Sequence, residues 1–162
     1  MNIVLHQPEI PHNTGAIGRT CLMTGSRLHL IRPYGFFLDE KSLKRSGLDY
    51  WHKIDLHEYD TFSDFQKNNS QKRFFFIETS GEKIYSDVEF EIGDYLFFGS
   101  ETVGLPKEIL EEFPQQIIRI PMTGDERSLN LSVAVGIVLY EALRQTGFKL
   151  LRVDGTKPVG NY

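Results

Sequence analysis

Short apolar bursts of β-forming residues alternate along the chain with longer stretches whose apolar positions recur at helical spacing. The bursts predict strands over 2–6, 27–31, 53–57, 73–78, 95–98 and 117–120. Helices fit between most of them. Asn13 is placed to cap one that runs to Thr24, with Ile17 and Cys21 on one face and Gly25 ending it in the left-handed conformation. Asp39 suits the start of a short basic helix reaching Lys44, and Asp60 or Thr61 the start of one reaching Lys67. Pro106 suits the first turn of a helix over 107–112, where its missing N–H costs nothing. The clearest helix begins at Ser128 or Asn130 and runs to Gln145. Its apolar residues Leu131, Val135, Val138, Leu139 and Ala142 keep helical spacing, and Gly147 closes it. Strands that alternate with helices imply an α/β fold, a mainly parallel sheet with helices on both faces. No repeat or linker divides residues 1–162, so a single domain is expected, with 148–162 as a C-terminal tail.

Composition narrows the functional classes. With 40% apolar and 25% charged residues over 162 positions, the chain can bury a core without disulfides or metal. A single cysteine, Cys21, allows no internal disulfide and no cysteine-based zinc site, which favours a reducing, cytoplasmic setting. The longest apolar run, 133–140, is far short of the ~20 residues a membrane helix needs, and the first residues lack the basic region of a signal peptide. Neither a membrane role nor a metal is expected. Eighteen basic against 22 acidic residues give a net charge of −4. That argues against a general nucleic-acid coat protein but permits an enzyme with a local basic face.

Ligands of open parallel sheets gather beyond the carboxyl ends of the strands, so three loops stand out. The first, 8–20, leaves the first strand through Pro8 and Pro11 and enters a helix whose free N–H groups suit an anion. Arg19 lies further along and can fork onto phosphate or ribose oxygens; it is equally compatible with a surface arginine on a capped helix. The second loop, Gly99-Ser100-Glu101-Thr102-Val103-Gly104-Leu105-Pro106, has the glycine spacing of a phosphate-binding loop without its chemistry. Leu105 and Pro106 replace the Lys and Ser/Thr, and Glu101 puts a carboxylate inside the cradle. An acid there suits hydroxyls or a positive charge, such as a nucleoside or a sulfonium. The third loop follows Ile120-Pro121-Met122 and carries Ser128 and Asn130 to the start of the last helix, where either can cap.

Together these segments resemble the SPOUT class of S-adenosylmethionine-dependent RNA methyltransferases, in its ribose 2′-O-methylating branch. Pro11-His12-Asn13-Thr14-Gly15 with Arg19 looks like the first family motif, residues 98–106 the second, and Ile120-Pro121-Met122 with Ser128-Leu129-Asn130-Leu131-Ser132 the third. The stretch Arg45-Ser46-Gly47-Leu48-Asp49-Tyr50-Trp51 resembles the short subfamily that modifies the wobble nucleotide of tRNA, as does the absence of an added RNA-binding domain. The resemblance implies methyl transfer from S-adenosylmethionine to the ribose 2′-hydroxyl of a wobble cytidine or uridine in the anticodon stem-loop. It also implies a homodimer and a C-terminal trefoil knot, a feature that periodicity cannot reveal because it breaks the usual rule against threaded connections.

Carried over residue by residue, the resemblance implies a cofactor site built from Ile77, Thr79, Gly99, Ile120, Met122, Ser128 and Leu129, with Glu78 left outside it. It assigns Arg19 to the reacting hydroxyl, with Asn13, Glu101 and Asn130 fixing Arg19 and the ribose. A guanidinium with a pKa above ~12 is a poor base, so Arg19 is expected to stabilise developing alkoxide charge. His12 is the rival proton acceptor; His6, His29, His52 and His57 read as structural. RNA contacts are expected from Lys41, Lys44 and Arg45, close to Tyr50 and Trp51, and from the tail cations Lys149, Arg152 and Lys157. Other readings stay open: methylation at another tRNA or rRNA site, or a non-catalytic RNA-binding protein on the same fold. A dehydrogenase or NTPase has no complete motif to support it.

Overall fold

Every strand pairing is parallel in the computed structural model, which describes residues 1–36, 50–124, 128–149 and 151–154. The strands are β1 (Asn2–His6), β2 (Arg27–Ile31), β3 (Leu56–Tyr59), β4 (Phe74–Ile77), β5 (Lys83–Ile84), β6 (Tyr95–Phe98) and β7 (Ile117–Arg119). They form one sheet in the order β3-β2-β1-β6-β4-β7-β5. Four α-helices are described: α1 (Pro11–Thr24), α2 (Phe62–Asn69), α3 (Lys107–Glu112) and α4 (Leu131–Gln145).

A parallel sheet covered on both sides needs strands that are apolar on both faces, and β1 and β6 are buried along their whole length. Side chains alternate across the pleat. Ile3, Leu5, Leu28, Leu30, Leu96 and Phe98 meet Ile17 and Cys21 of α1 and the Val135, Val138, Leu139 and Ala142 stripe of α4. On the opposite face Val4, Phe74, Phe76 and Phe97 pack with Phe65 of α2 and Ile109 of α3. Burial pushes the Cys21 thiol up to about 12, so it is an inert core residue. The expected α/β layering is therefore present, with helices on both faces of the sheet.

Several local expectations change. Pro11 begins α1 directly, with Ile10 as the N-cap, because its fixed φ is already helical and its missing N–H is not needed. Asn13 thus sits inside the first turn, not at the cap, and its side chain is free for other partners. The third strand starts at Leu56, not at position 53. Trp51 and Ile54 explain the delay: they pack on Gly18 of α1, where a Cβ would stand 2.7 Å from Ile54 Cδ1 and 2.8 Å from Trp51 Cζ3. A 3-10 turn at Trp51–Lys53 puts them there. Pro106 occupies the N-cap of α3, one position earlier than expected. Thr61 caps α2 by accepting from the Asp64 N–H at 3.1 Å. Strand β5 has two residues, too few to show a period. Gly25 and Gly147 end their helices with φ of 64° and 74°, as expected. The helix expected over 39–44 lies outside the described residues. In the segment expected as a tail, Phe148 and Leu151 pack against the core of the α1–α4 face.

Candidate functional site

The carboxyl ends of β4, β6 and β7 open onto a cavity of about 550 Å³. That is the size range of sites for drug-sized ligands. Its floor is apolar: Ile77 ends β4, Phe98 ends β6, and Ile120, Met122 and Leu129 come from the third loop. Its rim is polar and comes from all three loops and from the end of β4, including Asn13, Thr79, Ser100, Glu101, Ser128 and Asn130.

The glycine loop after β6 is shaped by close backbone contacts. Ser100 and Gly104 exchange two hydrogen bonds, Gly104 N–H to Ser100 O at 3.0 Å and Ser100 N–H to Gly104 O at 3.2 Å. A Cβ at Gly99 would lie 2.0 Å from the Gly104 carbonyl carbon, so only glycine lets the loop close. Crowding against the protein's own backbone, more than approach of a ligand, is what excludes a side chain there. Gly104 has φ +77°, and a Cβ on it would meet Glu78 Oε2 at 2.6 Å. Glu78 braces this loop: Oε2 accepts from the Leu105 N–H at 3.2 Å, and Oε1 from the Thr79 N–H at 2.8 Å.

A hydrogen-bonded chain joins the loops across the cavity mouth. Glu101 Oε2 accepts from the Glu9 N–H at 2.8 Å, and Oε1 accepts from the Ile10 N–H at 3.2 Å and from Asn13 Nδ2 at 2.9 Å. Two of the free donors around the start of α1 thus meet a carboxylate. Glu9 reciprocates by accepting from the Thr102 N–H at 3.1 Å and from its hydroxyl at 2.5 Å. Asn13 Oδ1 in turn accepts from Asn130 Nδ2 at 2.9 Å. The Asn130 Oδ1 caps α4 by accepting from the Ser132 N–H at 2.9 Å and the Val133 N–H at 3.4 Å. Asn130, not Ser128, is therefore the cap, and Ser128 is left on the cavity wall.

All seven residues expected at the cofactor, Ile77, Thr79, Gly99, Ile120, Met122, Ser128 and Leu129, line this one cavity, together with Asn13, Glu101 and Asn130. Arg19 does not join them. It is exposed, lies more than a turn beyond Asn13 on α1, and its guanidinium stands 5.8 Å from the Tyr50 ring centroid. His12 is also exposed and outside the cavity lining. Lys41, Lys44 and Arg45 lie outside the described residues. Trp51 is 9% exposed and packed on α1, so it cannot stack on a base; Tyr50 is half-buried and donates to Gly15 O at 3.1 Å. Glu78, which the motifs left out, both lines the cavity and braces the loop. Only its position after the apolar run Phe74-Phe75-Phe76-Ile77 marked it in the sequence.

A second cleft of about 720 Å³ runs along the β2–β3 edge, between His29, His57, Tyr59 and Asn69. Its polar groups are engaged with one another: His29 bonds Tyr59 and Asn2, and Tyr95 bonds Asn69. Among the described residues, no group of three or more His, Cys, Asp or Glu is placed to hold a metal ion.

A parallel α/β sheet with its cavity at the carboxyl strand ends, walled by three motif-bearing loops, defines the class. The SpoU rRNA Methylase family model matches residues 1–140, and the chain belongs to that family. Among its relatives is the tRNA (cytidine(34)-2'-O)-methyltransferase of Yersinia pestis, 51% identical over 154 residues, covering 91% of this chain and 95% of that protein. A solved structure concerned with 2-OH methylation of C/U34 on tRNA superposes with a TM-score of 0.83 at 48% identity, covering 90% of this chain and 95% of the other. An AdoMet-bound rRNA methyltransferase from Sinorhizobium meliloti is 28% identical with a TM-score of 0.76, covering 88% of this chain and 55% of that one.

Proposed function

We propose that this chain is a tRNA 2′-O-methyltransferase that transfers the methyl group of S-adenosylmethionine to the ribose hydroxyl of the wobble nucleotide, cytidine or uridine 34. The observation that carries the reading is the gathering of three loops, far apart in sequence, around one cavity of about 550 Å³. The donor set fits the cofactor: an apolar floor for the adenine, small residues where backbone must approach closely, and carboxylates with no basic side chain among the described lining residues, which suits a cation. When bound, S-adenosylmethionine supplies a methyl group on a positively charged sulfur, ready for displacement.

The chain's own residues then have defined tasks. Ile77, Ile120, Met122 and Leu129 exclude water from the cofactor, and the backbone at Thr79, Gly99 and Ser128 orients it. Glu101, Asn13 and Asn130 hold the loops in register, so that the ribose meets a preorganised rim. Arg19 stabilises the alkoxide charge that develops as the hydroxyl gives up its proton, which passes to a neighbouring phosphate or water. Its position outside the cavity of its own chain supports a homodimer in which Arg19 serves the partner's site. Exposed apolar residues on the two long helices, Met23 at 56%, Val133 at 50% and Tyr140 at 50%, provide a surface for that pairing. Lys41, Lys44 and Arg45 are assigned to the tRNA backbone.

The same reading makes the chain a single cytoplasmic methyltransferase domain over 1–162, with a C-terminal trefoil knot, 148–162 as its tail and no metal requirement. Purified protein with methyl-labelled S-adenosylmethionine and chelator should label total tRNA from a strain lacking the gene. The labelled linkage should resist alkaline hydrolysis, which needs a free 2′-hydroxyl. Label recovered in mononucleotides after alkali, instead of in resistant dinucleotides, would place the methyl on a base and overturn the ribose assignment.

A further inference from the structure

The two carboxylates that line the cavity each accept from three neutral donors but differ in place: Glu78 lies between the lining residues Ile77 and Thr79, whereas Glu101 bridges to residues 9–13. Glu101 has both oxygens taken by Glu9, Ile10 and Asn13, and serves as a clasp between loops. Glu78 stands at the end of β4, half-buried, with the Thr79 N–H, the Thr79 hydroxyl at 3.2 Å and the Leu105 N–H as donors. All of these donors are neutral. Among the described residues neither carboxylate makes an ion pair, and no Lys, Arg or His lines the cavity. Among the described residues, no cationic side chain therefore offsets the negative charge of Glu78. Its field extends into a concave space with apolar walls, where charge acts over a longer reach than on open surface.

We propose that Glu78 reads the charge on the ligand's sulfur, favouring the sulfonium of S-adenosylmethionine over the neutral thioether of S-adenosylhomocysteine. The inference rests on the cofactor assignment made above. It gives the cavity a direction: once the methyl has left, the ligand loses its positive charge and with it the attraction of Glu78, so spent cofactor is held less well relative to fresh. A purely mechanical role for Glu78, bracing Gly104 and Leu105, makes a different prediction, because a loosened loop weakens both ligands alike.

The test is calorimetric titration of the protein with S-adenosylmethionine, S-adenosylhomocysteine and sinefungin, whose ammonium replaces the sulfonium. Glu78→Gln removes the charge and keeps an acceptor. It is expected to shift the affinity ratio of S-adenosylmethionine to S-adenosylhomocysteine against the sulfonium by about five- to tenfold. Sinefungin should follow S-adenosylmethionine, and Glu78→Asp should keep the wild-type ratio even if both affinities fall. An unchanged ratio in Glu78→Gln overturns the proposal. Should that variant not fold, the wild-type ratio decides: it should move against the sulfonium as ionic strength rises, and a flat ratio overturns the proposal. Wild-type protein that binds none of the three ligands removes the cofactor assignment and this inference with it. Binding with an unchanged ratio removes the inference alone.

Discussion

Asn130 donates from Nδ2 to Asn13 Oδ1 at 2.9 Å, pinning the start of α4 to the first turn of α1 across 117 positions of sequence. Asn13 is 3% exposed and passes the connection on to Glu101. Asn13→Ala leaves a carboxylate oxygen and a capping amide each short of a partner. A loss of about 1–3 kcal/mol in unfolding free energy is expected, measured by urea denaturation. Methyl transfer should fall further than cofactor affinity, because the residue sets loop register at the rim. Wild-type stability in Asn13→Ala would show that the chain of hydrogen bonds carries no energy.

Gly99→Ala tests the loop itself. The added Cβ would stand 2.0 Å from the Gly104 carbonyl carbon, backbone against backbone, so the 99–105 loop must open. Binding of S-adenosylhomocysteine, followed by calorimetry, should drop below detection while circular dichroism retains the folded spectrum. Unaltered affinity would locate the ligand away from this loop.

The assignment of Arg19 separates chemistry from binding. Loss of a group that acts only as charge develops should cut turnover by about 10²-fold or more in Arg19→Ala, while cofactor affinity barely moves. Arg19→Lys should rescue poorly, since a point charge cannot replace a planar fork. A defect confined to KM for tRNA would make Arg19 an RNA-holding residue instead. The proposed sharing of sites predicts in addition that a folded monomeric variant loses activity, readable from sedimentation and turnover on the same sample.

Much of this site was legible because its residues carry local signals. Glycines at 99 and 104 and the capping Asn130 mark backbone geometry, and the apolar Ile120 and Met122 flank a proline that ends the strand. What periodicity could not show is which end of a side chain is occupied. Asn13 reads as a helix cap because asparagine is a good one, yet Pro11 takes the helix start and releases Asn13 for Glu101. Trp51 reads as a stacking residue beside a basic run, but Gly18 leaves a notch in α1 that it fills. Glu78 has no motif at all; its importance comes from the way the loop folds back over the end of β4.

Stability should fall in mild acid for a reason unconnected with catalysis. Burial first, and the neighbouring His57 next, lower the pKa of His29 to about 3 from its ordinary 6.5. The unfolded chain takes up that proton near pH 6.5 and the folded chain only near 3. The stability His29 contributes is therefore complete above pH 6.5 and is lost progressively as pH falls through this window. Urea midpoints measured from pH 7.5 to 4.5 should decline, and His29→Gln should flatten the decline even if it lowers the midpoint at pH 7.5. Parallel profiles for the two proteins would assign the acid sensitivity elsewhere.

The central claim is the site of methylation, and mapping the product tests it most directly. tRNA from a strain lacking the gene is methylated with the purified protein, digested to oligonucleotides and sequenced by mass spectrometry. The account predicts a single added methyl on the ribose of nucleotide 34, in tRNAs with cytidine or uridine at that position, and none when a 2′-deoxy nucleotide is placed there. Methylation of a different nucleotide, or persistence of transfer to the 2′-deoxy substrate, would contradict it.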